Sequence, residues 1–170
     1  MYEEASAVPL IIAGPDIKPK VETAPVSLID IYPTILDITK VKTKHPNPKY
    51  AKSLISTVLK PDMKRAILSE FHDYGAQTGM FMLRKENWKL VLYPGFQPQL
   101  FNLAVDPNEI DDLAGDESYA EKIAELESEI LKIADPKEIN KNAFKDQESM
   151  IQRLGGREAI LAHENFDHTP

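Results

Sequence analysis

Leu10, Ile11, Ile12 and Ala13 form a short unbroken apolar run that stops at Gly14-Pro15. Such runs suit a strand buried on both faces, as in parallel sheets, so the pattern predicts a strand over residues 8–13. A parallel strand needs neighbours and crossover helices, yet only seven residues precede it. After the proline-rich loop GPDIKPKVETAPV the period changes to that of a helix. Leu28, Ile31, Tyr32, Ile35 and Leu36 make one apolar stripe at i, i+3, i+4, i+7 and i+8. Ser27 precedes the stripe with Asp30 three residues on, a capping signal, and Pro33 is tolerated if it stays in the first turn.

Between Lys40 and Arg65 the periodicity fades. KTKHPNPKYAK reads as a loop and SLISTVL as a helical turn. From residue 66 to 103 the period becomes two. AILSEFH, GMFMLRKE, WKLVLYP and QLFNL are short strand-like runs, separated by DYGAQT, KEN and PGFQP. The KEN link is short enough for a hairpin. Trp88, Leu90 and Leu92 alternate with Lys89, Val91 and Tyr93, which predicts a meander of about four antiparallel strands with one side on a core. The remainder is helical. Tyr119, Ile123, Leu126, Ile130 and Ile133 share a stripe, with Ser118 and Glu121 as a capping box and Pro136 as the stop. Asp135-Pro136 opens a second helix through Ile139, Ala143, Met150 and Leu154, which ends at Gly155-Gly156. REAILAHE is a further short helix and NFDHTP a polar tail. There is no internal repeat.

Composition narrows the function. The 170 residues have a net charge of -7 and 13 prolines. An acidic balance argues against nucleic acid as a partner, since a phosphate-backbone binder should show a basic face. The absence of cysteine removes disulfides, thiolate metal sites and cysteine nucleophiles from this chain. No run of 18 apolar residues predicts a membrane-spanning helix, and the N-terminus lacks a secretory leader pattern.

Candidate chemistry is sparse. Glu70 and His72 lie two apart on a predicted strand and so share a face, with Asp73 next in the turn. A carboxylate beside an imidazole suits a metal or acid-base work; a polar strand end reaching solvent is the plainer reading. DPNEIDDLAGDES lacks the alternating ligands and mid-loop glycine of an EF-hand, and Asp106-Pro107 with Glu109 reads as the cap of a helical turn. Ser27 and Ser69 have no G-x-S-x-G setting, and no phosphate-binding glycine loop occurs. Arg84 and Lys89 on the hairpin read as a solvated face. These residues alone give no complete active site.

Three stretches, taken in order, resemble the C-terminal third of the sulfatase family, within the alkaline phosphatase superfamily. Tyr2, Glu3, Val8, Pro9, Leu10, Ile11 and Pro15 fit Y-E-x-x-x-x-V-P-L-I-x-x-x-P. Val26, Ser27, Asp30, Pro33, Thr34 and Leu36 fit V-S-x-x-D-x-x-P-T-x-L. Leu100 to Leu103, Asp106, Pro107, Glu109 and Leu113 fit L-(F/Y)-(D/N)-L-x-x-D-P-x-E-x-x-(N/D)-L. SEFHDYGAQTGMFMLRKENWKLV and GGREAILAHENFDHTP look like a bacterial branch of these arylsulfatase-like hydrolases.

The resemblance implies an α+β chain: the C-terminal part of a sulfatase-type α/β fold, with a small antiparallel sheet of about four strands packed by C-terminal helices. Residues 1–45 would be the last strand and helix of the catalytic domain, 46–155 the C-terminal subdomain and 156–170 a tail. Met1 would be an internal methionine, and the strand at 8–13 would belong to a sheet whose other strands come earlier. The family's formylglycine motif C/S-x-P-S-R and its D-H/N-G motif are absent. The resemblance therefore implies no catalytic residue and no metal ligand in this chain, which is expected to be inactive alone; calcium or another divalent cation belongs to the full-length parent. It leaves His72, closing SEFH, as the candidate substrate-binding residue. Expected partners are a sulfate ester in the parent, no nucleic acid, no membrane, and a homo-oligomer through an open strand edge or the tail. The resemblance leaves the compartment open: in a bacterium, cytoplasmic or periplasmic. A stand-alone interaction module and a phosphoester or phosphonate ester hydrolase remain alternatives.

Overall fold

The computed structural model describes residues 1–14, 17–72 and 76–162. The period-two stretch folds into a four-stranded antiparallel sheet in sequence order: β1 (Ile67–Phe71), β2 (Met80–Lys85), β3 (Trp88–Leu92) and β4 (Gln99–Asn102). Leu83 faces Leu90, and Leu90 faces Leu100, so one row of leucines crosses three strands. The helical stripe supplies the cover. In α4 (Ala120–Ile133), Leu126 and Ile130 lie on that row, and the five side chains are sealed from solvent. Fully burying each is worth about 1.5–3 kcal/mol. The α+β fold with about four antiparallel strands is the architecture the sequence predicts.

Local chemistry sets the boundaries. β2 and β3 join through a two-residue turn, in which Glu86 takes φ +52°. The Ser118–Glu121 box does not form. Asp116 instead accepts from the Ser118 N–H, a 3-10 turn spans Glu117–Tyr119, and α4 begins only at Ala120. Asp135 caps α5 (Pro136–Arg153) by accepting from Lys137 and Glu138 N–H. Gly155 and Gly156, both at φ +92°, end it, and α6 (Arg157–Ala162) follows. The predicted α5 stripe divides: Ile139 and Ala143 are half-buried, whereas Met150 and Leu154 are exposed, because only the first turns have a surface to lie on. The NFDHTP tail lies outside the described residues.

The sheet is buried on both sides, not one. Lys89, Val91 and Phe101, on the face opposite the leucines, are as sealed as the core. The N-terminus accounts for this: α1 (Glu3–Ser6) reaches Lys89, and Tyr2 packs on Phe101 with ring centroids 6.0 Å apart.

The predicted strand at 8–13 does not form. Among the described residues these positions make no hydrogen bond, since no neighbouring strand lies beside them; Pro15 lies outside the description. The predicted helix forms as a 3-10 turn (Leu28–Asp30) leading into α2 (Ile31–Thr39), with Pro33 in its first turn. Its burial is inverted. Leu28, Ile31 and Ile35 are exposed, while Asp30, Pro33 and Thr34 are buried against α3 (Leu54–Leu59) and the chain beside it.

Candidate functional site

Two buried ionic clusters tie distant segments together. In the first, Lys89, the second residue of β3, is 0% exposed. Its Nζ donates to Glu3 Oε1 at 3.0 Å and lies 2.7 Å from Glu109 Oε1. The second contact is too oblique for a hydrogen bond, so charge alone holds it. Glu109 Oε2 accepts from the Glu3 N–H at 2.6 Å, and Ser6 Oγ lies 3.4 Å from Lys89 Nζ. The lysine thus anchors α1 and the 106–112 loop to the sheet. Lys89 is not on a solvated face, as its charge suggested; beside Val91 and Phe101 it points under α1. Arg84 is half-buried, and its Nη1 donates to the Glu86 and Trp88 carbonyls.

In the second cluster Asp30, fully buried, accepts from both guanidinium nitrogens of Arg65, at 2.7 and 2.8 Å. It also accepts from the Ser27 and Lys52 N–H groups. Burial alone would raise this carboxyl, but Arg65 and the two backbone donors outweigh it and hold the group below its ordinary 3.8. Thr34 Oγ1 donates to the Asp30 carbonyl and accepts from the Leu54 N–H.

Between residues 5–10, α2 and the second face of the sheet runs a cleft of about 960 Å³. Val8, Leu10, Leu28, Ile31, Phe71 and Met82 line it, with Glu70, Ser69 and Arg84 among its polar members. Part of its wall, Val8, Leu10, Leu28 and Ile31, is what the sequence assigned to a buried strand and helix.

His72 stands at the end of β1 on the α4 side of the sheet, away from this lining. Its Nε2 is 3.6 Å from Glu70 Oε2, so the two residues share a face as predicted. Its ring meets Phe81 edge-on at 5.3 Å and fills the space beside Gly79, where an added Cβ would come within 2.5 Å of it. Asp73 lies outside the described residues. Three carboxylates of the acidic stretch accept from the backbone. Asp106 accepts from Asp111 N–H, Asp112 from Leu100 and Ala114 N–H, and Asp116 from Ser118 N–H. The stretch after Asp106 is a series of turns, with Glu109 turned inward at φ +52°, and not the predicted helical turn. Among the described residues no three His, Asp or Glu side chains converge as cation ligands.

Sequence reasoning missed the pairing roles of Lys89 and Glu109, and Arg65 altogether. One signal was present for Lys89: period two puts it with Val91 and in register with Phe101, a face too apolar for an unpaired charge.

The matched motif residues thus serve the two ionic clusters and the turns, within the sheet-bearing C-terminal part of a sulfatase-type fold. The profile of the N-sulphoglucosamine sulphohydrolase C-terminal family matches residues 1–136, and the chain belongs to this family. Arylsulfatase K of Xenopus laevis is 35% identical over 147 residues, covering 79% of this chain and 27% of that protein. The chain thus spans about a quarter of that relative's length. A candidate sulfatase from Bacteroides thetaiotaomicron superposes with a TM-score of 0.52 at 28% identity, covering 61% of this chain and 23% of the other. A 2-O GAG sulfatase gives 0.50 at 26%, covering 71% and 26%. The similarity thus extends to vertebrates as well as to a bacterium.

Proposed function

We propose that this chain is the C-terminal part of a sulfuric ester hydrolase and is inactive alone. The family match over residues 1–136 carries the reading; the absence of C/S-x-P-S-R from the sequence supports the inactivity. In this reading residues 1–45 complete a catalytic domain, 46–155 form a subdomain, and a divalent cation and a sulfate ester are bound by the parent. His72, ordered by Glu70 and Phe81, is its candidate contact to substrate. Copies of the chain would associate through an exposed strand edge or through the C-terminal tail.

Two measurements test this. The coding sequence upstream of Met1 is expected to hold an in-frame C/S-x-P-S-R; a stop codon directly before Met1 would favour a stand-alone interaction module. The purified chain with calcium is expected to leave a chromogenic aryl sulfate untouched. Turnover above the buffer blank that survives repurification would overturn the inactivity.

A further inference from the structure

The outer side of α2 and the cleft beside it make one face that carries both a ridge and a groove. Leu28 and Ile31 stand in the wall of the cleft. Ile35 and Ile38 continue their stripe at steps of four and three residues, the spacing at which one helix seats against another. The opposite side of α2, with Pro33 and Thr34, is already buried. Val8, Leu10, Leu28, Ile31, Ile35 and Ile38 are each 39–64% exposed.

The groove suits a helix. Three of the chain's five methionines, Met1, Met63 and Met82, line it, and thioether side chains adapt to a surface laid against them. Charge is complementary between ridge and groove. Asp37, the only charged residue of α2, is exposed and has no cation within ion-pair distance among the described residues. Lys64 and Arg84 line the groove and have no carboxylate within that distance there. Of the acids in the lining, Glu3 is held by Lys89 and Glu70 faces His72, while Glu86 belongs to the hairpin turn. A face that sets a ridge beside a groove, and an anion beside cations, is self-complementary, as a twofold interface requires. The area is also sufficient. Each half-exposed aliphatic side chain offers on the order of 100 Å², and with Met63 and Phe71 added the face reaches roughly the 800 Å² per partner of a stable interface.

We propose that this face joins two copies of the chain about a twofold axis: the α2 ridge of each lies in the cleft of the other, with Asp37 against the partner's Lys64 and Arg84. An antiparallel crossing sets Ile31 beside the partner's Ile35 and Leu28 beside the partner's Ile38. Removing the exposed stripe from water drives the contact, and the ion pairs fix its register. The contact is separate from the strand edges and the tail, and it does not depend on the chain's being part of a hydrolase.

Sedimentation equilibrium of the whole chain is expected to show monomer and dimer only, with the dimer fraction rising between about 1 and 100 µM. Ile35→Asp/Ile38→Asp places charge on the ridge and is expected to weaken association about a hundredfold or more. Asp37→Lys and Lys64→Asp each set like charges against one another across the axis, and each is expected to weaken association about tenfold. The double variant Asp37→Lys/Lys64→Asp restores opposite charges and is expected to regain most of that loss, a coupling that neither single change predicts. Leu131→Asp, at an apolar position on α4 as exposed as Ile38, is expected to associate as the parent does. A chain that stays monomeric at every concentration, a dimer that survives Ile35→Asp/Ile38→Asp, equal loss in Leu131→Asp, or a double charge reversal no tighter than the single ones would each overturn the proposal. All the mutated side chains are exposed in the monomer, and circular dichroism of each variant verifies its fold. The upstream coding sequence and aryl sulfate turnover test the hydrolase reading separately.

Discussion

Leu83, Leu90, Leu100, Leu126 and Ile130 are sealed between the sheet and α4, while Val8, Ile11, Leu28, Ile35 and Ile38 stand in solvent. Both sets are aliphatic side chains at regular spacing. The first set meets a complementary surface within residues 66–134, and the second meets none among the described residues. Periodicity states which face of an element is apolar; it does not supply the partner for that face. On α2 the consequence is an inversion, in which the polar Asp30–Thr34 side is buried and the aliphatic stripe is bare.

The comparison breaks most sharply at Lys89, which joins the two regions. Lys89→Ala leaves the buried carboxylate of Glu109, beside the part-exposed one of Glu3, without a cation. The expected cost is about 3–5 kcal/mol, read from urea unfolding. Leu90→Ala is expected to cost about 2–5 kcal/mol through the cavity it leaves, with cooperative loss of the whole sheet. A cost below 1 kcal/mol at either position would mean that the sheet is not the stable unit.

Acid sharpens the comparison from the other side. Asp30 has its folded carboxyl held below 3.8, so its stabilisation is complete above that ordinary value and is lost as pH falls through the folded value. Below about pH 4 the Asp30–Arg65 contact between α2 and the chain before β1 is therefore expected to weaken. Tyrosine fluorescence is not selective enough; amide NMR shifts of residues 27–36 followed from pH 6 to 2 report it directly. Asp112→Ala removes the cap on Leu100 and Ala114 N–H and is expected to cost about 1 kcal/mol. Ile11→Ser and Ile35→Ser, each removing a side chain that is already exposed, are expected to change stability by less than about 0.5 kcal/mol.

The meander and α4 were legible because each can be read within a short window: alternation, turn residues and a stripe ending at a proline. The strand at 8–13 was misread because its pattern specifies partners that do not lie beside it. Lys89 was misread because its partner Glu3 is 86 residues away in sequence, and local charge patterning sees only neighbours. The helix at Ser118 was placed early because two caps compete there and Asp116 takes the first donor. Of the candidate site, the pairing of Glu70 with His72 was legible from strand alternation. Of the two ionic clusters only the acids Glu3, Asp30 and Glu109 were visible, as motif residues; their cations Lys89 and Arg65 needed the fold.

Hydrogen exchange resolved along the sequence tests the contrast between the two regions directly. Amides of residues 88–91, paired on both sides within the sheet, are expected to exchange only through global unfolding. Amides of residues 8–13, which make no hydrogen bond among the described residues, are expected to exchange orders of magnitude faster in the monomer. Equal protection of the two stretches in a monomer, at every dilution, would contradict the account.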